Sequence, residues 1–204
     1  MVTANIRETA EELKLIISTF LKERGLELSE EKTTIAYINN GFDFLGWTFR
    51  KFRNKLIIKP SKSSTKVLIR KISDIILKEG KALKQEDLIR RLNSIIIGWT
   101  NYNKHVVASR TFSYVNNTIY LLLERWAKHR HPNKNKWWRL NKYWHERNDK
   151  PWVFMTDRNH LINLKTIDIR RHPKLQISKN PFLDEKYFIK RRIRLQSLAV
   201  ARNG

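Results

Sequence analysis

Apolar positions recur at helical spacing in several long stretches. Within 5–24, Leu13, Ile16, Ile17, Phe20 and Leu21 form one face, the three-and-four spacing of an amphipathic helix. Asn5 is placed to cap it, with Glu8 three residues on in a capping-box position. Gly25 follows where a left-handed stop belongs. Three further stripes follow downstream. The first, about 64–78, carries Leu68, Ile72, Ile75 and Ile76. The second, 85–99 or slightly beyond, carries Leu88, Leu92, Ile95, Ile96 and Trp99. The third, 112–129 with Thr111 as its cap, carries Phe112, Val115, Ile119, Leu122, Leu123 and Trp126. Three such stripes predict a three-helix bundle.

Between the first helix and this bundle the pattern turns short and β-like. It predicts strands at 26–28 and 33–38, then a hairpin of 42–51 and 55–59 about Arg53-Asn54. Gly46 falls inside the first hairpin strand, where a glycine marks a bulge or a close backbone approach. After the third stripe, His131-Pro132-Asn133 ends the helix. The segment 134–147 is too polar and too aromatic for a simple core helix. Short strands are expected at 152–154, 161–164 and 167–172, and a basic terminal helix at 186–202. The fold class is α+β. Three regions follow: 1–60 with the first helix and the hairpin, 61–131 helical, and 132–204 irregular and basic.

Charge changes this picture. Lys and Arg number 42 against 19 acids, a net charge of +23. Residues 1–45 carry five basic and eight acidic side chains, a net of −3, so 46–204 carry +26. A chain this basic is built to meet a polyanion. There is no cysteine, which excludes disulfides and Cys-based zinc sites and fits a reducing cytoplasm. No apolar run reaches the roughly 20 residues of a membrane span, and the acidic residues in 1–20 exclude a signal peptide there. Neither a membrane partner nor a metal is expected. His129, His131 and His145 match no zinc-ligand spacing.

The candidate chemistry concentrates in 90–144, where aromatic and basic residues interleave. The expected nucleic-acid-contacting group is Arg90, Arg91, Lys104, Arg125, Lys128, Arg130, His131, Lys134, Lys136, Trp137, Trp138, Arg139, Lys142 and Trp144. Cations meet phosphates, and indole rings meet unpaired bases. The alternative for the cations is a solvated surface. For Trp137, Trp138 and Trp144 it is a wedge at a junction. Trp99 and Trp126 lie on the helical stripes and are expected to be core.

Several motifs carry a family resemblance. Gly98-Trp99-Thr100-Asn101-Tyr102, Arg125-Trp126-Ala127-Lys128, His131-Pro132-Asn133-Lys134 and Lys142-Tyr143-Trp144 resemble the maturase-specific domain, domain X, of group II intron reverse transcriptases. Phe20 to Thr33 resembles the end of that family's polymerase palm. Gly41 to Trp47 resembles its last palm motif, with Phe44, Leu45 and Gly46 at the primer-grip-like position. Asn180-Pro181-Phe182 to Arg192 resembles the segment before the family's C-terminal HNH endonuclease. In the family, a Tyr-Ala-Asp-Asp motif holding the catalytic metals lies just upstream of the stretch matching 1–5. No Asp-Asp pair occurs in this chain, and two-metal chemistry requires clustered carboxylates.

The resemblance therefore implies the palm tail, thumb and domain X of such a protein, not an enzyme on its own, with no bound cofactor. It implies a group II intron RNA as partner, with Mg²⁺ belonging to that RNA. An upstream reverse-transcriptase polypeptide acting in trans is the alternative, and a basic fragment without function is a third reading.

Overall fold

The computed structural model describes residues 2–147, 150–170, 175–176 and 178–200. Among them it is an α+β chain of six α-helices and two small antiparallel sheets. It divides into two compact units, Met1–Ile58 and Lys59–Gly204.

In the first unit, α1 spans Arg7–Lys22. Its N-cap is Ile6, with no side-chain cap bond, so the expected Asn5 cap is corrected. Gly25 does adopt a positive φ of 71° after the helix. The strands expected at 26–28 and 33–38 do not form. Their apolar content suited a strand, but a strand exists only where another chain segment completes its ladder. The hairpin is a three-stranded meander in the order β1-β2-β3: Phe42–Phe44, Trp47–Phe52 and Lys55–Pro60. Leu45 (φ 48°) and Gly46 (φ 79°) link β1 to β2. Positive φ at both central residues is the backbone of a type I′ turn. Gly46 therefore turns the chain, and does not sit within a strand as expected. Phe42 and Phe49 are register partners, and their rings stack at 5.4 Å.

The second unit holds the core. Helix α2 spans Lys62–Leu77, α3 Gln85–Asn103 and α4 Ser109–Arg130. Ser61 caps α2 by accepting from the Ser64 N–H at 3.1 Å. The cap expected from Thr111 is absent, because α4 starts earlier, with Ala108 as N-cap and no side-chain bond. Leu68, Ile72, Ile75 and Ile76 of α2 are buried, as is the whole expected stripe of α4. On α3 the buried apolar positions are Leu88, Ile89, Leu92 and Ile96, while Ile95 and Trp99 are half-buried. Helix α4 packs against α2, and α2 against α3.

Beyond α4, helix α5 (Lys136–Tyr143) leads directly into a hairpin of β4 (Trp144–Arg147) and β5 (Lys150–Phe154). The strand expected at 152–154 forms within β5. The one expected at 161–164 does not. That segment runs along α3 and α4 through side-chain bonds: Asn93 Nδ2 donates to the His160 carbonyl at 2.8 Å, and the Leu164 N–H donates to Asn116 Oδ1 at 3.0 Å. Residues 167–170 are not strand either, and 171–172 lie outside the described residues. Helix α6 spans Glu185–Val200; the end of the expected 186–202 helix lies outside them.

Candidate nucleic-acid interface

The candidate surface is held by an aromatic core. Trp126 is 2% exposed. Its Nε1 donates to the Gly80 carbonyl at 2.7 Å. The rings of Tyr143 and Phe154 meet it edge-on at 5.0 and 5.8 Å. Trp144 meets Phe154 at 5.0 Å and Tyr120 at 5.9 Å. These contacts tie α5 and the β4–β5 hairpin to α4. Edge-to-face aromatic pairs of this kind fix orientation as well as burying area.

Helix α5 then displays its other face. Asn135 caps it, its Oδ1 accepting from the Trp138 N–H at 2.8 Å. Trp137 is 66% exposed and Trp138 37%. Around Trp138 the Lys134 and Lys142 ammoniums lie 5.3 and 4.9 Å from the ring centroid, within cation–π range. The His131 ring meets Trp138 edge-on at 4.9 Å. His131 Nε2 and the Tyr143 hydroxyl share a 2.7 Å hydrogen bond. Desolvation, then the charges of Lys142, Arg130, Lys134 and Arg139, hold the His131 pKa below its ordinary value. Burial pushes the Tyr143 phenol up, with the Arg130 charge opposing. The cluster is thus a positive, partly aromatic surface with a neutral histidine and a neutral phenol beneath it.

The other expected residues differ in what they touch. Arg125 and Lys128 are exposed on α4 and form no ion pair among the described residues. Arg90 pairs with Asp87, Arg91 with Glu79 at 2.7 Å, and Lys136 with Glu124 at 3.2 Å. These exposed pairs hold little energy and open readily to a stronger anion. Lys104 donates to Asn101 Oδ1 at 2.6 Å. Arg130 lies with its guanidinium 4.9 Å from the Trp126 ring and donates to the Leu83 carbonyl, so it is partly committed to the fold.

Two expectations are corrected. Arg139 is 9% exposed and donates to the Lys134 carbonyl. Trp144 is 3% exposed and enclosed by rings. Arg139 turns back onto the segment before α5, and Trp144, the first residue of β4, packs between Tyr120 of α4 and Phe154 of β5, which no count of basic and aromatic residues reveals. Trp99, expected as core, is half-buried and packs on Phe112 at 5.5 Å.

Trp152 was missed as a surface residue. It is 45% exposed and lies 6.2 Å from Trp137, the planes at 53°. Its sequence neighbourhood marks only a strand. Phe44 and Leu45 are exposed on the β1–β2 turn with Gly46.

No group of three or more His, Asp or Glu able to hold a metal ion gathers among the described residues. No described helix is long and apolar enough to cross a membrane. Residues 65–144 match the family model of the group II intron maturase-specific domain. That span runs from α2 to Trp144 and includes the displayed face of α5. No curated protein matches the chain.

Proposed function

We propose, from the match of residues 65–144 to the group II intron maturase-specific domain, that this chain serves intron splicing as a maturase, that it binds a group II intron RNA through α4 and α5, and that it stabilises the active fold of that RNA. The observation that carries the reading is the cluster at Trp138. An exposed ring flanked by two ammoniums, on a helix anchored by buried aromatic packing, offers a base a surface and a phosphate a charge at once. Arg125 and Lys128 extend the positive surface along α4.

The protein in this reading performs no bond chemistry. The RNA carries out the transesterifications with its own Mg²⁺. The chain binds the compact RNA more tightly than looser forms and so shifts the population toward it. Binding releases condensed counterions, so affinity falls steeply with salt. Affinity for a structured group II intron RNA, measured across a salt series, should drop by orders of magnitude between about 50 and 200 mM. A flat series, or equal affinity for an unrelated RNA of the same length, would sink the reading.

A second reading rests on α1. Ile16 is 63% and Phe20 52% exposed, and no residue of α1 is buried. An upstream reverse-transcriptase polypeptide would cover that apolar face, and the chain would then serve a polymerase in trans. Primer extension with Mg²⁺ and nucleotides should be absent from this chain alone and appear only on adding such a polypeptide.

A further inference from the structure

We propose that Trp137 and Trp152 together form a stacking site for a single unpaired nucleobase, so that the protein reads a bulged or looped nucleotide as well as RNA charge. This rests on the RNA reading above and adds a defined ligand to it.

The argument starts from the backbone of β5. In the β4–β5 ladder His145 pairs with Val153 and Arg147 with Lys150. One residue of β4, Glu146, therefore faces two of β5, Pro151 and Trp152. That is a β-bulge, which re-aims a side chain. Trp152 adopts φ 61°, a region that a bulky L-residue enters at a steric cost and where glycine is usual. A turn or bulge needing that conformation would be easier to build with glycine. The chain instead places its largest side chain there and leaves it 45% exposed. Strain of this kind gathers at functional positions.

The strained residue also has a partner. Trp137, 66% exposed on the displayed face of α5, lies with its ring centroid 6.2 Å away and its plane inclined by 53°. The pair forms an open wedge of two indoles, so a base stacked on one exposed face meets the other ring with its edge. Among the described side chains no cation lies over either ring, whereas Trp138, next along α5, has Lys134 and Lys142 over it. The two sites divide the work. Trp138 and its lysines meet the backbone, and the wedge meets the base. Charge decides the occupant. With +26 on 46–204, a polyanion carrying flat rings fits this wedge better than a second copy of the chain.

The experiment uses the full chain and an RNA hairpin with one bulged 2-aminopurine, against its fully paired counterpart. Stacking should quench the fluorophore on binding, and the bulged hairpin should bind more tightly. Trp137→Leu and Trp152→Gly should each weaken binding of the bulged RNA by about 5- to 100-fold and abolish the quench. The salt slope should stay unchanged, since no charge is removed. Glycine at 152 accepts the left-handed backbone but gives up the Trp137 contact, so a melt of each variant run beside the binding assay separates loss of affinity from loss of fold.

If both variants bind the bulged hairpin as the parent does, and the quench persists, the wedge is overturned while the RNA reading stands. If the parent itself shows no salt-dependent RNA binding, both fall. A concentration-dependent dimer in sedimentation that Trp137→Leu dissolves would overturn the wedge in favour of self-association.

Discussion

His131 sits where burial and four cations act in one direction. Desolvation comes first, then Lys142, Arg130, Lys134 and Arg139, all lowering its pKa, while its Nε2 is bonded to the Tyr143 hydroxyl. The folded state therefore binds fewer protons than the unfolded one. Stability from this group is fully present above the ordinary value of 6.5 and is lost as pH falls through the lowered folded value. Urea midpoints should fall between pH 7.5 and 5.5, and His131→Gln should flatten that fall. A Lys142→Gln variant should move the His131 titration, followed by NMR, back toward 6.5.

Trp126 poses the complementary case of a residue with no freedom. Truncation to Ala should cost about 3–5 kcal/mol in denaturant unfolding, since it leaves a cavity and an unmet carbonyl on Gly80. The Gly80→Ala change should also destabilise, because a Cβ there would lie 2.8 Å from the Ile75 carbonyl oxygen, which is backbone and cannot swing away. The sequence already placed Trp126 in the core by its spacing from Leu122 and Leu123. It held no sign that the indole N–H would close on Gly80.

At the scale of elements, the display of Trp137 and Trp138 depends on a helix of only eight residues. So short a helix is marginal by itself and relies on its cap and its packing. Asn135→Ala should cost about 1 kcal/mol in thermal or urea unfolding and weaken RNA binding in parallel. Unchanged stability would show that packing on α4 alone sets the helix. The long helices were legible because 16 to 22 residues of periodic pattern leave little room for another solution. The runs at 26–28, 33–38 and 161–164 look β-like in sequence, but two to four apolar residues do not say whether a ladder partner exists. The segment after Asn133 was recognised as unlike a core helix, but its division into α5 and β4 depends on packing against α4.

Across the whole molecule, stability and charge are both unevenly shared. No described residue of 2–58 is buried, whereas α2, α3 and α4 contain most of the core. Local opening follows burial. Amide exchange in α1 and β1–β3 should therefore be far faster than in α3 and α4 under native conditions. Equal protection in both units would contradict this and point to a covering partner on α1. The charge boundary near residue 46 lies within the first unit, which ends at Ile58, so composition and compactness divide the chain at different places.

By itself the sequence determined the helical bundle, its stripe of core residues, the positive charge of 46–204 and the family likeness now matched over 65–144. Periodicity and net charge are sums along the chain, and sums survive without coordinates. Only the tertiary structure decided which of the clustered aromatic and basic residues face outward. It turned Arg139 and Trp144 inward and left Trp138 between two lysines. It also brought Trp152, from a strand bulge with a left-handed backbone, to Trp137 on a helix. Facing is set by which side of each element finds a partner, and contacts between residues far apart in the chain make that choice.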